Sequence, residues 1–182
     1  LDEVAKRAPE ALRTMHINRG NRTIPGQYLD RLDFYMFQPG HNYEGQPEAW
    51  HLPQDFIANY PKKPMVNSEP CYEQMGASRN VYWRFTAQDC RASVWSSTLA
   101  GASAGVTYGA HGVWNWQTSK SQGSVLGEGF DMPFRWQECL QFAGVWDFGA
   151  IEHVLAGLGA TAGDDALAVV PAQELLDDAR EA

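Results

Sequence analysis

The stretch KPMVNSEPCYE, residues 63–73, decides the fold that the sequence predicts. Its residues 65–67 are typical of a short strand, since they follow a proline-rich turn and precede a polar run. Glu69 comes just after the carboxyl end of that strand. Residues 86–89, TAQD, have the pattern of a capping box and predict the start of a helix. The stretch therefore predicts one strand–loop–helix unit.

The same order of elements recurs along the chain about four times. Runs rich in aromatic and β-branched residues predict strands, and apolar residues at helical spacing predict helices. A Gly/Ser-rich loop is predicted at residues 117–129, and Gly159 is a predicted helix stop. The predicted strands are 14–18, 32–38, 65–67 and 104–109, and the predicted helices are 2–13, 53–60, 86–99, 134–142, 148–158 and 173–180.

Strands separated by helices imply a parallel sheet with right-handed crossovers. A complete (β/α)8 barrel takes about 250 residues, and this chain has 182. We therefore predict one α/β domain, residues 1–182, of the (β/α)8 TIM-barrel type with about four βα units, which is half a barrel. A flavodoxin-like sheet is the alternative, but the sequence has neither a GxGxxG stretch after a strand nor a Walker A stretch.

Composition excludes several classes of function. A net charge of -8 argues against a nucleic-acid partner, and no run approaches the roughly 18 apolar residues of a membrane span. The three cysteines lack CxxC spacing, so we expect free thiols rather than structural zinc. The chain begins at Leu1 without an initiator Met or signal-peptide pattern, which we interpret as a fragment or processed product; the compartment stays open.

Aromatic residues make up 12% of the chain, and several lie beside His, Asn and Gln in runs that resemble strand ends. Rings next to polar groups suit a surface that stacks on sugars and bonds to their hydroxyls, although a single Trp more often fills a core. Ligands of parallel α/β folds bind at the carboxyl ends of the strands, where these runs fall. The predicted substrate-binding residues are His16, Gln38, His41, Asn42, Tyr72, Glu73, His111, Trp114 and Trp116.

Glu69 is the predicted catalytic residue, because a carboxylate at a barrel mouth can be partly desolvated and its pKa tuned. The alternative for Glu69 is a buried ion pair or a loop-bracing hydrogen bond. For Glu73 such a structural role is the favoured interpretation. The histidines show no HxH or HExxH spacing, so no metal and no cofactor are predicted. A serine hydrolase is weakly supported, since no GxSxG elbow is present.

The combination of KPMVNSEPCYE, a helix and AGVTYGAHGVWNW (residues 104–116) resembles the apiosidase-like family of glycoside hydrolases. The resemblance covers nearly the whole chain, and EPCYE and HGVWNW are its more specific parts. Four further segments are also similar to that family: TMHIN (14–18), LDFYMFQPGHN (32–42), WQECLQFAG (136–144) and VVPAQELL (169–176).

The resemblance implies that the four strands are the fifth to eighth of a TIM barrel. Glu69 would then end the seventh strand and act as the nucleophile, and the acid/base would come from the fourth strand, in a segment upstream of Leu1. The partners that the resemblance implies for this chain are a carbohydrate substrate and either the N-terminal half of the barrel or another copy of the chain.

The sequence thus predicts a glycoside hydrolase acting on plant or microbial polysaccharide, endoglucanase- or apiosidase-like. Two alternatives remain open. One is a non-catalytic carbohydrate-binding module, and the other is an assembly protein that uses the half-barrel to dimerise.

Overall fold

A three-stranded parallel sheet and the helices between its strands form the fold. The structure is a computed structural model and describes residues 1–77, 83–119 and 131–157. The strands are β1 (Tyr35–Phe37), β2 (Met65–Asn67) and β3 (Gly105–Val106). The helices are α1 (Asp2–Arg7), α2 (Gly26–Leu29), α3 (Glu48–Asn59), α4 (Ala87–Leu99), α5 (Trp136–Cys139) and α6 (Ala143–Gly157), with a 3-10 turn at Tyr43–Gly45.

Consecutive strands are neighbours in the sheet, in the order β1-β2-β3. Tyr35 lies opposite Met65, and Asn67 lies opposite Val106. Helices α3 and α4 connect the parallel strands and pack on each other, and α6 packs on α4. The predicted α/β fold with a parallel sheet is confirmed for this part of the chain.

The main core lies between β1 and α3. Tyr35 and Phe37 lie on the buried face of β1, and the rings of both contact the ring of Phe56 edge-on, at centroid distances of 5.9 and 6.3 Å. Met65 of β2 and Leu52 of α3 join the same cluster. This buried apolar cluster holds β1, β2 and α3 together.

Helix α3 begins at Glu48, five residues before the predicted start, and contains Pro53. A proline has no N–H for the carbonyl four residues earlier, here that of Ala49. The hydroxyl of Ser97 in α4 donates to this carbonyl at 3.0 Å. A side chain of the neighbouring helix thus satisfies the acceptor that Pro53 leaves open, and the helix continues through the proline.

Helix α4 confirms the capping-box prediction. The Asp89 N–H donates to Thr86 Oγ1 at 3.3 Å, and the Thr86 N–H donates to Asp89 Oδ2 at 2.7 Å. The helix runs to Leu99, as its apolar spacing predicted.

Several predicted boundaries are wrong. The first helix ends at Arg7, since Pro9 cannot continue it. Residues 14–18 form no strand. The Thr14 hydroxyl donates to the carbonyl of Phe34, the residue before β1, and the side chain of Gln38, the residue after β1, donates to the Ile17 carbonyl. Strands 32–38 and 104–109 shorten to β1 and β3, helix 134–142 shortens to α5, and helix 148–158 starts at residue 143. The predictions for residues 120–129, 159 and 173–180 lie outside the described residues.

All three cysteines are buried free thiols, as predicted. Cys71 and Cys90 approach within 4.0 Å between their sulfur atoms. In the part of the chain that the structure describes, no helix has the length and apolar character needed to cross a membrane.

Candidate active site

Glu69 lies two residues past the end of β2, at the carboxyl edge of the sheet. Its backbone carbonyl accepts the Gly40 N–H at 3.1 Å, which ties the loop after β2 to the loop after β1. Its side chain is 24% exposed, so the carboxylate is accessible without being fully solvated.

Two imidazoles bind the two oxygens of the Glu69 carboxylate. His41 Nε2 lies 2.8 Å from Oε1, and His16 Nε2 lies 3.2 Å from Oε2. The carboxylate has no proton to donate when ionised, so each Nε2 is the donor. The His41 side chain is 11% exposed and that of His16 is 49% exposed, which makes His41 the fixed partner and His16 the accessible one. These three predicted site residues are brought together.

The pKa of the Glu69 carboxyl lies below its ordinary value. Burial acts to raise this pKa, but the hydrogen bond from His41 and the charges of His41 and His16 together outweigh it. The group is therefore an anion at neutral pH, which is the form a nucleophile or a charge-stabilising carboxylate requires.

Tyr72 lies beside this cluster. Its ring packs 4.2 Å from the His41 ring, and burial and the Glu69 charge raise the pKa of its hydroxyl to about 12. The ring rests on Gly109: a Cβ there would lie 2.1 Å from Tyr72 Cδ1. Only a glycine leaves room for the ring at this point, so Gly109 sets where Tyr72 can hold His41.

Asn67, the last residue of β2, is a site residue that the sequence analysis missed. It is buried, its Oδ1 accepts the Glu69 N–H at 3.3 Å, and its Nδ2 donates to Ser97 Oγ at 2.9 Å. The amide fixes the turn that directs Glu69 away from the strand. A polar residue at an inward strand position, two residues before a carboxylate, is the pattern that could have found it.

Glu73, a predicted substrate-binding residue, is buried, and its carboxylate is hydrogen-bonded to other groups of the protein. Its Oε2 accepts the hydroxyl of Tyr108 at 2.7 Å and the Gly144 N–H at 2.9 Å. Gly144 lies in the first turn of α6, where unpaired N–H groups favour a carboxylate. The carboxylate therefore joins the β3 side of the sheet to α6, in agreement with the favoured structural interpretation.

Gln38 and Asn42 support the loops of the site. The buried Gln38 amide donates to the Ile17 carbonyl, next to His16, so it braces the segment that carries this histidine. The Asn42 carbonyl accepts the Gly45 N–H at 3.0 Å and the Gln46 side chain at 2.9 Å. Both residues lie at the predicted strand end, but these contacts are with protein.

His111 is buried, although it was predicted for the sugar-binding wall. The backbone N–H of His111 donates to the Glu73 backbone carbonyl, and the His111 backbone carbonyl accepts the Phe134 N–H, both at 2.9 Å. Burial, with a smaller effect of the Arg84 charge, lowers the pKa of its imidazole to about 4. The ring is therefore neutral at pH 7 and forms the floor under Trp114, which stacks parallel to it at 6.3 Å.

Trp114 and Trp116 are exposed on the turn that follows His111. Trp116 stacks on Trp136 with centroids 4.8 Å apart and planes 9° apart. Its φ of +50° is unusual for a bulky residue and costs energy that the surrounding turn must supply. Both indoles are available for contact with a ligand.

Within residues 1–77, 83–119 and 131–157, no three His, Cys, Asp or Glu side chains form a group that could hold a metal ion. His16 and His41 do converge, but on the carboxylate of Glu69.

Comparison with known proteins adds a family and a fold. A family model described as "Apiosidase-like, catalytic domain" matches residues 1–161. The structure is similar to a glycoside hydrolase family 5 protein from Bacteroides vulgatus ATCC 8482, with 24% identity, a TM-score of 0.69, and coverage of 85% of this chain and 35% of that one. A second structure, described as a glycoside hydrolase, has 21% identity and the same TM-score, with coverage of 85% and 37%.

At these identities the likeness concerns the fold, an α/β arrangement of parallel sheet and helices. The chain spans a little over one third of the length of the two solved structures. Comparison with curated protein sequences gives no match.

Proposed function

The chain belongs to the apiosidase-like catalytic-domain family, and from this premise we propose that Glu69 is the nucleophile of a glycoside-hydrolysing site. The observation that carries the proposal is the ionised Glu69 carboxylate, held at the carboxyl edge of a parallel sheet by His41 and His16. The proposed substrate class is an O-glycosyl bond in plant or microbial polysaccharide, endoglucanase- or apiosidase-like.

The proposed reaction proceeds in two steps. Glu69 attacks the anomeric carbon, the glycosidic C–O bond breaks, and the leaving oxygen takes a proton from a general acid. Water, deprotonated by the same group, then hydrolyses the glycosyl ester and releases Glu69 as a carboxylate. The lowered pKa of Glu69 supports this role, because the attacking oxygen must be unprotonated.

The two imidazoles have different proposed roles. His41 stays bonded to Oε1 throughout, because it is nearly buried and packed on Tyr72. His16 is half exposed, so an incoming sugar displaces it and frees Oε2 for attack. Trp114, Trp116 and the half-buried Tyr72 form the proposed sugar-binding wall, with His111 beneath Trp114.

We propose that the general acid lies outside these 182 residues, on the remainder of a TIM barrel. The β1-β2-β3 sheet supports this, because parallel strands with crossover helices normally belong to a larger sheet that is covered on both faces. The remainder could come from a longer form of the protein or from another copy of the chain. Sedimentation distinguishes these, since a monomer that hydrolyses glycans would exclude the second copy.

The test is glycan hydrolysis by the full-length protein, measured as new reducing ends from a panel of plant polysaccharides. Glu69→Gln, which keeps the shape and removes the charge, is expected to lower kcat by at least about a thousandfold with substrate binding retained. Glu69→Ala with added azide should form a glycosyl azide, because azide replaces the missing carboxylate at the anomeric carbon.

Glu10→Gln, at an exposed position after α1, is the matched control and should have unchanged turnover. Unchanged turnover in Glu69→Gln would exclude Glu69 as the nucleophile. Binding of glycans with no hydrolysis by the unaltered full-length protein would favour the carbohydrate-binding alternative.

A further inference from the structure

A chain of three hydrogen bonds connects the backbone of Glu69 to helix α3. The Glu69 N–H donates to Asn67 Oδ1 at 3.3 Å, and Asn67 Nδ2 donates to Ser97 Oγ at 2.9 Å. Ser97 Oγ in turn donates to the Ala49 carbonyl at 3.0 Å. Asn67, Ser97 and Ala49 are fully buried, at 0% exposed. Because water has no access there, a partner that is removed leaves the next group unpaired.

The two ends of this chain fix the direction of every bond in it. The Glu69 N–H can only donate, and the Ala49 carbonyl can only accept. A serine hydroxyl has one proton, and Ser97 gives it to Ala49, so Ser97 can only accept from Asn67. The Asn67 amide must therefore turn its NH2 group toward α4 and its oxygen toward Glu69. In the opposite orientation both bonds of the amide would be lost.

The Ala49 carbonyl depends on Ser97 because of a proline. Pro53 has no N–H, so the carbonyl four residues earlier has no donor from its own helix. The Ser97 proton is thereby committed to α3, which leaves only the lone pairs of its oxygen for Asn67. A proline in α3 thus determines which way an amide at the end of β2 is turned.

The Asn67 bond is one of two that hold the Glu69 backbone. The Glu69 N–H is held by Asn67, and the Glu69 carbonyl accepts the Gly40 N–H at 3.1 Å. The side chain leaves from the Cα between these two groups, so its direction depends on both. Without the Asn67 bond, the peptide group before Glu69 can rotate and the carboxylate can shift, even while His41 stays bonded to it.

We propose that Ser97 is a positioning residue of the reaction, which orients the Asn67 amide and through it the nucleophile Glu69 without touching the substrate. The inference rests on the proposed function and extends it to a hydroxyl group in α4. A reacting group misplaced by about 1 Å can cost about a hundredfold in rate. Loss of the Ser97 hydroxyl should therefore lower kcat with little change in KM, because it alters the direction of the nucleophile and not the groups that bind the sugar.

Kinetics of the full-length Ser97→Ala protein test this role on a glycan that the unaltered protein hydrolyses. We expect kcat to fall at least about tenfold, with KM changed by less than about twofold. Ser93→Ala is the matched control and should keep its kcat. Ser93 lies one turn earlier in α4 and is 5% exposed, and its hydroxyl has no hydrogen-bond partner within the described residues. Equal kcat in the two variants overturns the proposal.

Pro53→Ala separates positioning from stability. An alanine at this position supplies the N–H that the Ala49 carbonyl lacks, so it should raise the urea midpoint of Ser97→Ala. It should leave kcat low, because the Asn67 NH2 group still has no acceptor. Recovery of kcat together with the midpoint would show that Ser97 only supports the fold, which overturns the proposal. If Ser97→Ala does not fold, the double variant is compared with Pro53→Ala alone, and equal kcat in those two overturns it.

Azide shows whether Ser97 acts through Glu69. In Glu69→Ala with azide, the nucleophile is a free anion that Asn67 does not hold. Adding Ser97→Ala to this variant should change the rate of glycosyl azide formation by less than about twofold. A loss as large as in the protein that retains Glu69 would place the effect elsewhere in the fold and overturn the proposal.

The two proposals fail in different variants. Retained turnover in Glu69→Gln excludes the nucleophile, and with it a role for Ser97 in orienting it. Loss of turnover in Glu69→Gln with unchanged kcat in Ser97→Ala excludes only the positioning role and leaves Glu69 as the proposed nucleophile.

Discussion

The His41 Nε2 atom lies 2.8 Å from Oε1 of Glu69, which joins the loops that follow two adjacent parallel strands. Neither residue is near the other in sequence. The contact exists because the carboxyl ends of parallel neighbours meet at one edge of the sheet. His41 thereby couples the charge of Glu69 to the packing of Tyr72, on which its ring rests.

Removing this contact should affect chemistry more than substrate binding. In His41→Asn we expect kcat to fall about a hundredfold, because Glu69 loses its fixed donor and its orientation. In His16→Asn we expect a change of less than about tenfold, mainly in KM, because the proposed substrate displaces His16. Steady-state kinetics on the same glycan compare the two variants, and a larger kcat loss in His16→Asn would reverse the assigned roles.

The pH profile gives an independent reading of the same contact. His41 helps to lower the pKa of Glu69, whereas burial raises it. Without His41 the pKa of Glu69 rises, so more of the carboxylate is protonated at a given acidic pH. The acidic limb of kcat/KM should therefore move to higher pH in His41→Asn. His51→Asn, at an exposed position of α3, should leave the limb in place.

Gly109 should be sensitive to the smallest substitution. In Gly109→Ala the new Cβ would meet the Tyr72 ring at 2.1 Å, so the ring must move away from His41. We expect a loss of stability of about 1–3 kcal/mol and a decrease in kcat. Gly26→Ala, where nothing lies within 4 Å of the new Cβ, is the control and should change neither. Urea unfolding and kinetics measure the two effects, and equal behaviour of the two variants would contradict the prediction.

The central strand, its helix and the candidate carboxylate could be predicted from sequence because their determinants are local. Residues 65–67 and the Thr86 capping box depend on neighbours within a few positions. The hydrogen-bond partners of Glu73 could not be predicted in the same way, although a structural role was the favoured interpretation. Its two donors, Tyr108 and Gly144, are 35 and 71 residues away in sequence. Only the tertiary structure shows that they donate hydrogen bonds to its carboxylate.

His111 should make stability depend on pH. Its pKa is about 4 in the folded chain, below the usual value near 6.5, so it stays neutral when the unfolded chain takes up a proton. The contribution of His111 to the free energy of unfolding is therefore largest above about pH 6.5 and is lost as the pH falls toward 4. Between pH 7 and 4.5 the unaltered protein should lose about 2 kcal/mol more than His111→Gln. Urea unfolding at several pH values checks this, and parallel curves for the two proteins would contradict it.

The buried Glu73 carboxylate should matter for stability and only indirectly for catalysis. In Glu73→Ala the Gly144 N–H and the Tyr108 hydroxyl lose their common acceptor, and each buried unpaired donor costs about 1–3 kcal/mol. Tyr108→Phe removes one of the two donors and leaves the other bond intact, so it should cost about 1 kcal/mol. Because both variants act on the same oxygen, the double variant should cost less than the sum of the two. Unfolding free energies from urea titration give the cycle, with Glu10→Gln as the exposed control. Strictly additive unfolding free energies in the double variant would show that the two bonds are independent. A hundredfold loss of kcat in a well-folded Glu73→Gln protein would contradict the structural role and indicate that Glu73 contacts the substrate.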